Sequence, residues 1–146
     1  MELNRKQDLS IYHWLKEVLP TFVTVVDGFP EDDLVLPTAS VETLPIEGVP
    51  FELGGRDKDI RFWRIDIFAD NKSQRDDMAY VVYKELEDNI SVYNYDEGFP
   101  PDVSPSKIGC MKCYDRRVAP IKVFEELVRK LYWRSAITFW TEYETI

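Results

Sequence analysis

Residues 61–70, RFWRIDIFAD, limit what the chain can fold into more than any other stretch. Successive side chains of a β-strand leave opposite faces. Trp63, Ile65, Ile67 and Ala69 therefore form one wholly apolar face, and Phe62, Arg64, Asp66 and Phe68 form the other. The first set requires a core to cover it. The second frames an Arg and an Asp between two Phe rings, which is neither core nor ordinary water-facing surface. The pattern returns in LYWRSAITFWTEYE, residues 131–144. There Trp133, Ile137, Phe139 and Tyr143 share one side with Ser135 and Thr141, while Tyr132, Arg134, Ala136, Thr138, Trp140 and Glu142 share the other.

The helices that would cover the apolar faces are also legible. Residues 8–19 place Ile11, Trp14 or Leu15, and Val18 at helical spacing, with Asp8 or Ser10 as N-cap and Pro20 as stop. His13 within this helix reads as a partly buried or surface residue. A second helix follows residue 70, with Ser73 and Asp76 spaced as in a capping box and Met78, Val81, Val82 and Leu86 as its apolar stripe. Short strand-like pieces between residues 34 and 55 carry prolines that confine them to edges, bulges or strand ends.

Residues 90–95 resume a strand pattern. The Pro-rich loop 96–106, containing Phe99, Pro100 and Pro101, is too long for a tight hairpin and reads as a mobile arm or a partner-contact element. KIGCMKCYDRR returns to β, and IKVFEELVRK has room for a turn of helix. The order predicts a single α+β domain over 1–146: a largely antiparallel sheet with two main helices on one face and the mixed Arg, Asp and aromatic faces on the other.

A chain of 146 residues buries roughly 70% of its unfolded surface and needs no disulfide or metal to hold together. Its net charge of −9, with the bases scattered among acids as in GGRDKD and SQRDD, opposes phosphate binding and leaves DNA at most a passing cargo. No apolar run approaches a membrane span and no leader pattern precedes residue 10, so synthesis in the cytoplasm is expected.

Covalent chemistry finds little purchase. Cys110 and Cys113 form a C-x-x-C, but four-ligand zinc would need carboxylates recruited, because the chain holds one His and no second Cys pair. A redox pair belongs at a helix N-terminus, and these two thiols face opposite ways on a strand. No nucleotide-binding glycine motif, P-loop or H-E-x-x-H is present. Glu31, Asp32 and Asp33 lack calcium-loop spacing, and pairs such as Asp57/Asp59 and Asp76/Asp77 are expected by chance among 27 acids. The reading is a non-enzyme without catalytic, cofactor-binding or metal residues.

The amphiphilic sheet face remains. Arg64 and Asp66 lie about 7 Å apart along one face, close enough to pair with each other or to bond a neighbouring subunit. Aromatic residues are 14% of the chain, and interfaces are enriched in Tyr, Trp and Arg. Phe62, Arg64, Asp66, Phe68, Tyr132, Arg134 and Trp140 are thus the candidate subunit interface. The other reading of the same face is a water-facing sheet with ordinary cross-strand ion pairs.

The stretches RFWRIDIFADNKSQRDDMAYVVYKELED and VAPIKVFEELVRKLYWRSAITFWTEYE, with the order of elements over about residues 8–143, resemble the neck and tail-completion proteins of long-tailed bacteriophages, particularly tail terminators. The resemblance implies a small α+β subunit assembled as a ring, commonly a hexamer, on the last tail-tube ring. There it would stop tube growth and offer a docking surface to a head-completion or stopper protein. It implies residence in the virion after synthesis in the bacterial host. A stopper or head-tail adaptor is the near alternative. An acidic DNA-mimic inhibitor and a small hydrolase are alternatives of other classes.

Overall fold

The computed structural model describes residues 1–28, 35–43, 47–50, 57–121 and 133–146, with the backbone alone at 47–50 and 57–59. The acidic run Glu31–Asp33, the Gly54-Gly55 pair, the helical turn expected after Ile121, and Tyr132 lie outside the described residues.

The class is α+β, with two helices and a curled sheet among the described residues. In chain order the elements are α1 (Leu3–Val18), β1 (Thr24–Asp27), β2 (Thr38–Thr43), β3 (Glu47–Pro50), β4 (Asp57–Ala69), α2 (Lys72–Glu85), β5 (Ile90–Tyr93), β6 (Lys107–Ile121) and β7 (Trp133–Thr145). A 3-10 turn over Tyr95–Glu97 opens the Pro-rich loop. The strands run in the order β1-β2-β4-β7-β6-β5, and β3 pairs with the beginning of β4. β1 and β2 are parallel, and the other described pairs are antiparallel.

The apolar alternation of β4 is the reason for this arrangement. Trp63, Ile65, Ile67 and Ala69 are 1% exposed or less, and across the ladder Ile137 and Phe139 of β7 are fully buried with them. Ile11 and Leu15 of α1, Met78, Ala79 and Val82 of α2, and Leu86 at its C-cap complete that core. Burying side chains of this kind stabilises by roughly 1.5–3 kcal/mol each before ordering costs. α1 touches β5 at one edge of the sheet and β1 and β2 towards the other, so the sheet curls about it.

Both helix starts differ from the capping pattern in the sequence. α1 begins at Leu3 and has no side-chain cap, so Asp8 and Ser10 lie inside the helix. They have other partners: Asp8 pairs with Arg61 at 2.7 Å, and the Ser10 hydroxyl donates to Lys6 O and accepts the Tyr93 N–H. In α2 the cap is Asn71, whose side chain accepts the Gln74 N–H at 2.9 Å while Gln74 Oε1 accepts the Asp70 N–H at 2.8 Å. Two reciprocal bonds satisfy more free amides than Ser73 alone could. Val81 is 38% exposed, outside the expected stripe, and Ala79 takes its place in the core.

The loop after β5 is fastened at several points. Asp96 meets Lys6 and the N-terminal amine, both at 3.0 Å, Glu97 accepts from the Ser106 amide and hydroxyl, and the Val103 N–H donates to Phe99 O. Gly98 has φ +136°, a conformation that disfavours any Cβ, and a Cβ there would run into Val103.

Candidate functional site

The pairing register sorts the outer face of the sheet, turned away from the helices, into rows. One row is aromatic: Phe62 of β4 opposes Trp140 of β7, which opposes Tyr114 of β6. The Phe62 and Trp140 rings lie 4.8 Å apart, tilted by 49°, a geometry aromatic quadrupoles favour. The next row runs Glu42, Arg64, Thr138, Arg117 across β2, β4, β7 and β6. Then come Ser40, Asp66, Ala136 and Ala119, and after them Thr38, Phe68, Arg134 and Ile121.

Asp66 is the electrostatic centre of this face. It is fully buried, and its Oδ1 accepts from Arg134 Nε at 3.1 Å, Arg134 Nη2 at 3.0 Å and Arg64 Nε at 3.2 Å. Oδ2 lies 3.2 Å from Arg64 Nε without hydrogen-bond geometry. The Arg134 guanidinium also covers the Phe68 ring at 5.2 Å. Burying a carboxylate is costly unless such charged donors surround it.

Two residues expected at a subunit interface are therefore unavailable for one. Asp66 and Phe68 are both 0% exposed within the protomer. Their parity was read correctly, but strand alternation tells which face a side chain takes and not whether the same chain closes over that face. Phe62, Trp140, Arg64 and Arg134 are intermediate in exposure and share the outer face. The Arg64 side chain is 37% exposed, and its terminal nitrogens make no hydrogen bond among the described residues.

Tyr114 and Arg117 join the two rows although sequence reading passed over them. Three residues apart, they would take opposite faces of a regular strand. A bulge between them, with Asp115 at φ 50°, restores them to one face. The tripeptide Tyr114-Asp115-Arg116 contains an Asp able to adopt that conformation, which was the available signal. Arg61 was missed as well. Sharing the inner face with Trp63, its guanidinium lies 4.2 Å from that ring and reaches Asp8, Gln7, Thr43 and Asn4 O.

The Pro-rich loop forms a second surface. Phe99 is 47% exposed and stacks on Tyr95 at 5.5 Å, which stacks in turn on His13 at 5.3 Å. Exposed Pro100 and Pro101 help line a groove of about 690 Å³ between α1 and β5. Burial holds the His13 imidazolium below its usual range, with Lys16 adding to the effect.

Cys113 faces inward, and burial pushes its thiol up to about 12, so it is protonated at neutral pH. Cys110, on the other face of β6, does not converge with it. Among the described residues no group of three or more His, Cys, Asp or Glu is placed to hold a metal ion, and no helix is long and apolar enough to cross a membrane. What the outer face offers is recognition: planar aromatic surface beside guanidinium donors.

Comparison with protein-family models and with curated proteins finds no match for the chain.

Proposed function

We propose that the chain is a non-enzymatic virion assembly protein, a phage tail terminator that closes into a ring at the head-proximal end of the tail tube. The observation that carries this reading is the outer sheet face. It sets an aromatic row, Phe62–Trp140–Tyr114, beside a row holding Arg64 and Arg117, on the side of the sheet turned away from α1 and α2. Half-exposed aromatic rings with Arg neighbours are the residue set that protein interfaces favour over plain surface.

In this reading the outer face meets sister subunits, and the fastened loop with Phe99, Pro100 and Pro101 meets the tail tube or the head-completion protein. The excess of acids lets DNA pass without adhering. A heterologous contact repeated around an axis closes when its rotation closes, and the hexamer is the ring expected from the resemblance.

Native mass spectrometry of the full chain, with electron microscopy of the protein added to tail tubes, tests the proposal. Ring oligomers that cap tube ends support it. A protein that stays monomeric and never decorates a tube end removes it, and the neck alternatives that need a ring fall with it.

A further inference from the structure

Helix α2 presents two unlike sides. Its inward side, Met78, Ala79 and Val82 with Leu86 at the C-cap, belongs to the core. Its outward side carries Asp77, Tyr80, Val81, Lys84 and Glu85 at helical spacing, with Asp88 just beyond the helix end. Tyr80 is 62% exposed and Val81 38%, an apolar step that folding leaves in water. Residues 70–88 hold six acids against three bases. Of those acids Asp77, Glu85 and Asp88 make no ion pair among the described residues.

The outer sheet face offers a local complement in Arg64 and Arg117, with Glu42 in their row and Glu142 and Lys112 in the row on the far side of the aromatic one. Arg64 and Arg117, one row across three strands and about 10 Å apart, flank the aromatic row. The Arg117 side chain is 75% exposed, with a single loose pairing to Asp115 at 3.6 Å. One helical turn, about 5 Å, separates Asp77 from Tyr80 and Val81. Adjacent rows on one sheet face are about 7 Å apart. The side chains can span that difference.

Resting on the ring reading above, we infer that the outward stripe of α2 in one copy docks on the Phe62–Trp140–Tyr114 and Arg64–Arg117 rows of the next copy. Tyr80 and Val81 lie against the aromatic row, and an α2 carboxylate meets a guanidinium. The α2 stripe and the sheet rows are different surfaces, which approach each other at a groove bordered by Tyr80 and Arg117 of one chain, so the contact is head-to-tail and leaves each copy with one surface of each kind. Local complementarity between the α2 acids and these guanidiniums fits a second copy, acting at short range against the general repulsion between chains of net charge −9.

Two variants of the full chain test this. One alters the sheet, Arg117→Glu with Trp140→Ala; the other alters the helix, Asp77→Lys with Tyr80→Ser. Circular dichroism and melting curves establish that each folds, and Arg117→Glu alone serves if the half-buried Trp140 proves necessary for folding. In sedimentation velocity each variant by itself should associate at least about tenfold more weakly than wild type. An equimolar mixture should recover dimers that grow no further, because only one intact pair of surfaces remains. A helix variant that assembles like wild type overturns the inference and leaves the ring reading standing. Wild-type protein that never assembles sinks both. A wild-type monomer that binds a single-stranded oligonucleotide through Arg117 and Trp140 also overturns it.

Discussion

Replacing Asp66 by Asn keeps the shape of the side chain and removes its charge, so it isolates what the carboxylate does. In the native protomer Oδ1 receives three N–H donors from two guanidiniums, and the residue is fully buried. Breaking a buried pair from one side costs about 3–5 kcal/mol when the stranded charge stays dry. Neither guanidinium is wholly dry: the Arg64 side chain is 37% exposed and the Arg134 side chain 15%. Arg64 can turn to water, whereas Arg134 is held over Phe68.

The expected loss is therefore about 2–3 kcal/mol, below the dry limit and above the 0–1 kcal/mol of a surface pair. For a chain of this length that lowers the melting temperature by roughly 6–9 °C. Urea unfolding followed by circular dichroism, at a protein concentration where the chain is monomeric, measures it. Arg64→Gln, altering the more exposed partner, should cost about 1 kcal/mol or less. A change below about 1 kcal/mol for Asp66→Asn would refute the assignment of Asp66 to the folding of the protomer. If assembly weakened instead, Asp66 would be an interface residue after all.

Arg61→Met should destabilise by about 3 kcal/mol, because it removes the buried donor shared by Asp8, Gln7 and Thr43 and leaves Asp8 only the looser pairing with Arg5 at 3.9 Å; an unchanged urea midpoint would show that α1 is anchored elsewhere. In a Cys110→Ser variant, native protein at about pH 8 should resist alkylation, since a thiol pushed up to about 12 leaves roughly one thiolate in ten thousand. Rapid mass gain before denaturant is added would contradict the burial of Cys113. The lowered pKa of His13 means that the unfolded chain binds the proton more readily. Its contribution to stability is then fully present above the unfolded value of 6.5 and is lost as pH falls through the lower folded value. His13→Phe, which keeps an aromatic ring against Tyr95, should flatten the fall in urea midpoint between about pH 7 and pH 5, and an equally steep fall would place the titrating group elsewhere. The carboxylates of Asp96 and Glu97, held low by Lys6, the N-terminal amine and Ser106, act in a separate window below the usual carboxylate range.

Strand parity over 61–70 and 131–144 determined which side chains of β4 and β7 face the helices, because a period of two leaves no other choice. Helical spacing likewise placed Ile11, Leu15, Met78, Val82 and Leu86 in the core. Tertiary structure alone decided what happens where the chain departs from a period or meets itself. The bulge at Asp115 turns Tyr114 and Arg117 to one face, the protomer closes over Asp66 and Phe68, and Asp8 becomes the partner of Arg61 instead of a helix cap. Periodicity is a property of neighbours along the chain. The burial of a charge and the company of an aromatic ring depend on residues dozens of positions away, and those are fixed only when the sheet takes its register and curls.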